Sequence, residues 1–190
     1  MRRLSVFNSV TLDGYFTDAK GDMSWAHTAP DDAEWNEFVG GNVKGNGVLV
    51  FGRVTYDMMA SFWPTPTALQ SMPNVANRMN SAEKIVFSRT MDKASWQNTR
   101  VIKADPAAEI KKLKTDAGDD LVILGSGTIV AQLAQAGLID EYQLVVVPIA
   151  LGKGRTMFEG VNRRIELRPI STRTFRNGNL FLRFEPLRRE

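Results

Sequence analysis

The sequence predicts one α/β domain over residues 1–190, built on a mostly parallel mixed sheet of about eight strands, with helices on both faces and an antiparallel C-terminal hairpin. Three observations predict it. Runs such as Val48-Leu49-Val50-Phe51 and Leu121-Val122-Ile123-Leu124 are continuously apolar, as strands buried on both sheet faces are. Strand-like and helix-like segments alternate to about residue 140, the order in which crossover helices join parallel strands. Beyond that point only strand-like segments follow, and Asn177-Gly178 supplies a two-residue turn.

The strand candidates are residues 4–11, 48–51, 84–88, 100–103, 121–124, 141–149, 165–175 and 180–185. Four helices are expected between them. Asp31 or Thr28 caps the first, where Trp35, Phe38 and Val39 share a face. Val54, Met58 and Phe62 form an apolar stripe on the second. Asp105 followed by Pro106 opens the third, with Ile110, Leu113 and Ala117 on its inner face until Gly118. The fourth runs from Thr128 to Leu138. Residues 64–81 are long for a loop, so they form a lid or hide a short helix near 75–79.

The chain has 24 Lys plus Arg against 21 Asp plus Glu, one His and no Cys. That removes disulfides, thiolate metal sites, iron-sulfur clusters, thiol nucleophiles and His-rich metal centres, so no metal site is expected. The lack of cysteine fits a reducing compartment, and a cytoplasmic location is expected. Asn8, Ser9 and Asp13 interrupt the first apolar run too early for a signal peptide. Glycines split the uncharged stretch 121–139, and prolines break 58–77, so no membrane partner is expected. Residues 151–190 carry ten basic and four acidic groups. A polyanion partner is the alternative there, but alternation of Arg164, Glu166 and Arg168 with Ile165 and Leu167 reads as one charged strand face, and no nucleic-acid partner is expected.

Three strand ends carry anion-suited residues. Gly52, Arg53 and Thr55 follow one buried strand, Ser88 and Arg89 a second, and Gly125, Ser126, Gly127 and Thr128 a third. In open α/β sheets ligands bind beyond the carboxyl ends of the strands, so the three ends imply one phosphorylated ligand. The pattern is neither a Rossmann fingerprint, since Val130 takes the third glycine position, nor a Walker A loop, since Arg53 stands where Lys is needed. Acid-base candidates are Asp13, Asp31, Asp32 and Glu34, each with an ordinary turn or capping role as the competing reading. His27 reads as a surface residue, and with a single His a hydrolase triad at Ser126 is not expected.

These residues, in this order, resemble the dihydrofolate reductase-like superfamily, and within it the branch containing the reductase domain of the bifunctional riboflavin-biosynthesis deaminase-reductase. Stand-alone bacterial members look most alike. The resemblance runs through residues 10–16, Trp25, 31–38, 51–56, 84–90, 96–98 and 125–138, and it is most branch-specific over 148–154 and Phe158. It implies NADPH as cofactor, with Gly52, Arg53, Thr55 and the 125–128 turn at the pyrophosphate, and Ser88 and Arg89 by the adenosine ribose and its 2′-phosphate. The nicotinamide would lie near Ser9 and Val10, beside a substrate pocket lined by Trp25, Trp35, Asp13 and Asp32.

The expected protein is therefore an NADPH-dependent reductase of a small heterocyclic or carbonyl/imine substrate, pteridine-like or ribosylaminopyrimidine-like. Asp32 is the first candidate for proton donor, because it opens a helix whose Trp35 and Phe38 form an apolar wall beside which an acid keeps its proton, and Asp13 is the second, because its loop is expected close to the nicotinamide. A homodimer is expected from the same resemblance. The reading from another class is a non-catalytic nucleotide- or RNA-binding module that uses the basic C-terminal region.

Overall fold

A computed structural model describes residues 1–26, 32–42 and 45–187. Residues His27, Thr28 and Asp31, and with them the expected cap at Asp31 or Thr28, lie outside the described residues.

The main sheet has eight strands in three blocks. β1 (Leu4–Thr11) occupies the centre, between β6 (Leu121–Leu124) and β7 (Glu141–Val147). Beyond β6 lie β3 (Val48–Gly52), β4 (Lys84–Phe87) and β5 (Thr99–Ile102); beyond β7 lie β10 (Leu180–Pro186) and β9 (Leu167–Thr174). The first six of these strands are parallel neighbours, while β10 runs antiparallel to both β7 and β9. The expected C-terminal hairpin thus completes the main sheet.

Sequence did not anticipate a second, two-stranded ribbon, in which β2 (Tyr15–Asp18) pairs antiparallel with β8 (Gly154–Thr156). The two strands approach so closely that a Cβ on Gly154 would lie 2.1 Å from the Thr17 carbonyl oxygen. Only glycine fits there.

Strand parity makes the layers. On β1, Leu4, Val6 and Val10 face a core shared with α5 (Pro106–Thr115) and α6 (Gly127–Gln135), which supply Ile110, Leu113, Ile129 and Leu133. The opposite face is covered by α2 (Arg53–Phe62), α4 (Pro73–Ser81) and α1 (Ala33–Asn42). Tyr56, Val75, Met79 and Trp96 pack there on Leu49, Phe51 and Val86. Trp35 and Phe38 of α1 join Phe175 and Phe181, fixing α1 to the C-terminal hairpin. Lys84 is fully buried; its ammonium donates to the carbonyls of Asn80, Ala82 and Gln97 and rests 4.4 Å from the centre of the Trp96 ring. These contacts replace the water lost on burial.

Two helix expectations change. Residues 64–81 form two helices, α3 (Pro66–Ser71) and α4, each with proline in its first turn, where a missing N–H costs no helical hydrogen bond. The α2 stripe does not enter the core: Val54 is 71% exposed, Met58 44% and Phe62 38%, and the buried side chain of that helix is Tyr56. Among the described residues no helix is long and apolar enough to cross a membrane. In the basic C-terminal region Arg168 pairs with Glu185, Arg173 with Glu34 and Arg183 with Glu141.

Candidate active site

Two helices start side by side at the carboxyl edge of the sheet. α2 follows β3 directly, α6 follows β6, and the two strands are parallel neighbours. The Gly52 amide donates to Ser126 Oγ at 2.9 Å, and Ser126 N donates back across the gap to Thr55 Oγ1 at 3.0 Å. Ser126 Oγ in turn donates to the Leu124 carbonyl at 3.0 Å. This knot requires unusual backbone, since Gly125 (φ 58°) and Ser126 (φ 57°) are both left-handed. A Cβ on Gly125 would come within 2.8 Å of Thr55 Cγ2, so glycine is demanded by conformation and by space.

Neither helix has a side-chain cap. Their first-turn N–H groups therefore converge with the positive ends of two helix dipoles, an arrangement that attracts phosphate. They border a cavity of about 270 Å3 lined by Gly52, Arg53, Thr55, Ser126, Gly127 and Thr128, and also by Phe16, Thr17 and Arg155 of the ribbon. The Phe16 ring lies directly over Gly127, where a Cβ would sit 2.5 Å from the ring.

A second cavity, of about 350 Å3, runs over the opposite sheet face, and Met23 and Met58 line both. Its floor is Ser5, Phe7 and Ser9 of β1 with Leu49 and Leu124 of the neighbouring strands. Met58 and Met59 of α2, Trp63 just after it, and Val75 and Met79 of α4 form its walls, so four methionine side chains, counting Met23, make the lining adaptable. Asn42 and Gln143 add amide groups. Asn8, also on this cavity, is buried, donating from Nδ2 to the Gly125 carbonyl at 3.0 Å and to Met157 Sδ at 3.2 Å. A further cavity of about 470 Å3, beside Arg2, Arg3 and Arg168, lies at the amino end of the sheet, where Lys114 pairs with Asp140 and Arg168 with Glu185. Its charges already have protein partners, so the carboxyl edge is the stronger candidate.

The structure brings Gly52, Arg53, Thr55, Ser126, Gly127 and Thr128 together on the first cavity, and Ser9 and Gly125 on the second. Val10 points the other way, into the core. Ser88 and Arg89 follow β4 at the same edge but outside both cavities; Ser88 Oγ accepts from the amides of Thr90 and Met91 at 3.3 and 3.0 Å, and Arg89 is exposed. Trp35 belongs to the aromatic cluster under α1. Trp25 sits in a short turn and donates from Nε1 to the Asp22 carbonyl at 3.3 Å. Neither tryptophan lines a cavity; Trp63, which sequence reading did not single out, does.

The two carboxylates hold backbone. Asp32 precedes α1 and accepts from Trp35 N at 3.0 Å through one oxygen and from Asn177 Nδ2 at 2.7 Å through the other. Asp13 accepts from Thr11 Oγ1 at 2.6 Å and from the amides of Leu151 and Gly152 at 3.0 and 2.7 Å. The Thr11 hydroxyl and then the Gly152 amide hold its carboxyl below the usual range, so it stays ionised. Neither residue lines either cavity. Among the described residues no group of three or more His, Cys, Asp or Glu is arranged to hold a metal.

Arg155, Met23 and Phe16 are not among the site residues expected from sequence. For Arg155 the only signal was the preceding run Gly152-Lys153-Gly154, since the strand that places it is three residues long and pairs far away in the chain.

Comparison with known proteins agrees with this architecture. The chain is 29% identical over 177 residues to the uncharacterized protein YyaP of Bacillus subtilis, covering 93% of this chain and 91% of that one. It is 23% identical over 181 residues to YwjB of the same organism, covering 92% of each. Among solved structures, a proposed riboflavin biosynthesis protein of Shewanella sp. PV-4 superposes with a TM-score of 0.75 at 22% identity, over 98% of this chain and 99% of that one. A diaminohydroxyphosphoribosylaminopyrimidine deaminase/5-amino-6-(5-phosphoribosylamino)uracil reductase of Thermotoga maritima gives 0.65 at 17% identity, over 98% of this chain and 57% of that one. These likenesses establish a dihydrofolate reductase-like fold. The family model of the RibD C-terminal domain matches residues 2–181, and with nearly the whole chain inside that match, the protein belongs to the RibD C-terminal domain family.

Proposed function

We propose that the protein is an NADPH-dependent reductase of a small heterocyclic or carbonyl/imine substrate. One observation carries the reading: two uncapped helix starts, locked together through Gly52 and Ser126, border a guanidinium-lined cavity that meets an apolar cavity at Met23 and Met58. A dinucleotide needs both environments, one for its charged diphosphate and one for its nicotinamide ring. The residues fit such a group, because the first cavity offers N–H donors, the hydroxyls of Thr55 and Thr128 and two guanidiniums.

In this reading Arg53, Thr55 and Thr128 bind the diphosphate, Ser88 and Arg89 meet the adenosine ribose and its 2′-phosphate, and Ser9 lies beside the nicotinamide. The bound cofactor supplies the hydride. The protein's part is to orient the acceptor against Phe7, Trp63 and the methionines, to exclude water and to engage polar ring edges through Asn42 and Gln143. Asp32 and Asp13 hold backbone in this reading, since both accept N–H or O–H donors and neither lines either cavity. The substrate class that fits is a small planar ring, pteridine-like or ribosylaminopyrimidine-like; the Thermotoga maritima relative is a reductase of the second kind by name.

Titration with NADPH, read by quenching of protein fluorescence, tests the proposal. Saturable quenching at micromolar NADPH is expected. No binding at millimolar NADPH, with tight and steeply salt-dependent binding of RNA, would replace it with the binding-module reading.

A further inference from the structure

We propose that Arg155 is a further binding residue for the cofactor's diphosphate, presented from the β2–β8 ribbon rather than from the sheet edge. The inference rests on the reductase reading given above.

Arg155 is the middle residue of β8 and pairs with Thr17. The ribbon that carries it is pinned on both sides. Phe16 packs on Gly127 in the first turn of α6, and Gly154 lies against the Thr17 carbonyl. Met157, just after β8, is buried and accepts the Asn8 amide. Asp13 holds the approach to β8 through the amides of Leu151 and Gly152. The backbone of Arg155 is therefore placed by contacts that also build the phosphate cavity, and only its side chain has freedom to adjust.

Within the protein the guanidinium is weakly engaged. Its partner is Glu159, with Nε and Oε2 3.9 Å apart and the side chains 55% and 68% exposed. A pair that long in solvent holds little, so the donor fork remains available. Arg53, which lines the same cavity, has a closer partner, Asp57 at 3.0 Å. Two guanidiniums carried by different elements, α2 and β8, on one cavity bordered by two helix starts suit a ligand with adjacent phosphates, because each planar fork can take two oxygens. A lone inorganic anion at the helix starts would need no ribbon. Arg89 lies outside this cavity, beyond the end of β4, so the two arginines serve different phosphates.

NADPH and NADH share the diphosphate and differ in the 2′-phosphate, which gives a direct test. Dissociation constants of both cofactors are measured for the parent, Arg155→Gln, Arg155→Lys and Arg89→Gln, with thermal melts of each protein alone. Arg155→Gln should weaken both cofactors by about ten-fold or more, Arg155→Lys should recover part of the loss, and Arg89→Gln should weaken NADPH alone. Melting points near the parent's are expected, because the Arg155 head is mostly exposed. Parental affinity of Arg155→Gln for both cofactors would overturn the inference while leaving the reductase reading intact. Loss of NADPH alone in Arg155→Gln would also overturn it, by moving Arg155 to the 2′-phosphate. A parent that binds neither cofactor would remove the reductase reading itself.

Discussion

Gly52, the last residue of β3, and Ser126, just beyond the parallel neighbour β6, are joined by a 2.9 Å hydrogen bond from the Gly52 amide to the Ser126 hydroxyl, and through it the starts of α2 and α6 become one unit. Ser126→Ala removes the acceptor and leaves a partly buried N–H without its partner. A loss of about 1–3 kcal/mol in unfolding free energy is expected, together with weaker NADPH binding, because the two helix starts are no longer held in register. Chemical denaturation and cofactor titration of the same variant check both. Unchanged affinity despite the stability loss would mean that the knot is structural alone.

Gly125→Val is expected to damage the fold as well as the site. The residue has φ 58° and its Cβ would meet Thr55 Cγ2 at 2.8 Å, so the variant should melt well below the parent and show no NADPH-induced stabilisation. A variant melting like the parent would contradict this geometry.

Phe16 and Gly127 should be energetically coupled. A Cβ at 127 would lie 2.5 Å from the Phe16 ring, so Gly127→Ala forces the ribbon away from α6. In the double variant Phe16→Ala/Gly127→Ala the clash is gone, and its destabilisation should be smaller than the sum of the single effects by about 1 kcal/mol or more. Strict additivity in a denaturation cycle would mean that ribbon and helix are independent.

For Asp32 and Asp13 the expected phenotype is stability rather than chemistry. Asp32→Ala removes the side-chain bonds to Trp35 N and Asn177, and should cost about 0.5–2 kcal/mol, the range for loss of an N-terminal cap. Asp13→Asn weakens the clamp on Leu151 and Gly152 and should lower the melting temperature. Once a substrate is found, single-turnover hydride transfer at saturating NADPH should stay close to the parental rate in both variants. A fall of a hundred-fold or so in either would restore that carboxylate as the proton donor.

The stability profile should be limited by neighbouring residues at opposite ends of the pH scale. Burial pushes the Glu141 carboxyl up, but hydrogen bonds from Arg183 and Gln143 and the charges of Arg183 and Arg3 outweigh it, and the net shift is downward from 4.5. A depressed acid contributes stability that is present above its unfolded value and lost as pH falls through the folded one, so the loss begins below about pH 4.5. Burial pushes the Tyr142 phenol from 10.0 up to about 12, with Arg163 opposing. Its contribution is present below pH 10.0 and lost as pH rises through about 12. Denaturation midpoints across pH should therefore flatten on the acid side in Glu141→Gln and on the alkaline side in Tyr142→Phe, each compared with the parent.

The parallel sheet was legible because β3 and β6 are continuously apolar, short and separated by helix-like segments. Residues at the ends of β3 and β6 were legible for a related reason, since ligands of open α/β sheets bind beyond the carboxyl ends of the strands, where these Gly, Thr and Ser residues fall. The ribbon was not legible. β2 and β8 are four and three residues long, hold polar residues and pair across most of the sequence, so no local periodicity announces them. The α2 stripe misled in the opposite direction: Val54 and Met58 have the spacing of core residues but line the cavities, because a ligand site also wants an apolar helix face. Trp35 packs in the aromatic cluster with Phe38 and Phe175, and sequence could not distinguish this from a pocket, since an aromatic near a helix start serves a core or a pocket equally well. The prolines of 64–81 read as breakers, whereas Pro66 and Pro73 start helices.

Binding of NADPH at the carboxyl edge of the sheet is tested by backbone amide and methionine-methyl NMR spectra recorded with rising NADPH. Saturable shifts are expected at Gly52, Arg53, Thr55, Gly127 and Thr128, accompanied by shifts of the Met23 and Met58 methyls where the two cavities meet. Shifts confined to the amino end of the sheet, around Arg2, Arg3 and Arg168, or none at millimolar NADPH, would contradict it.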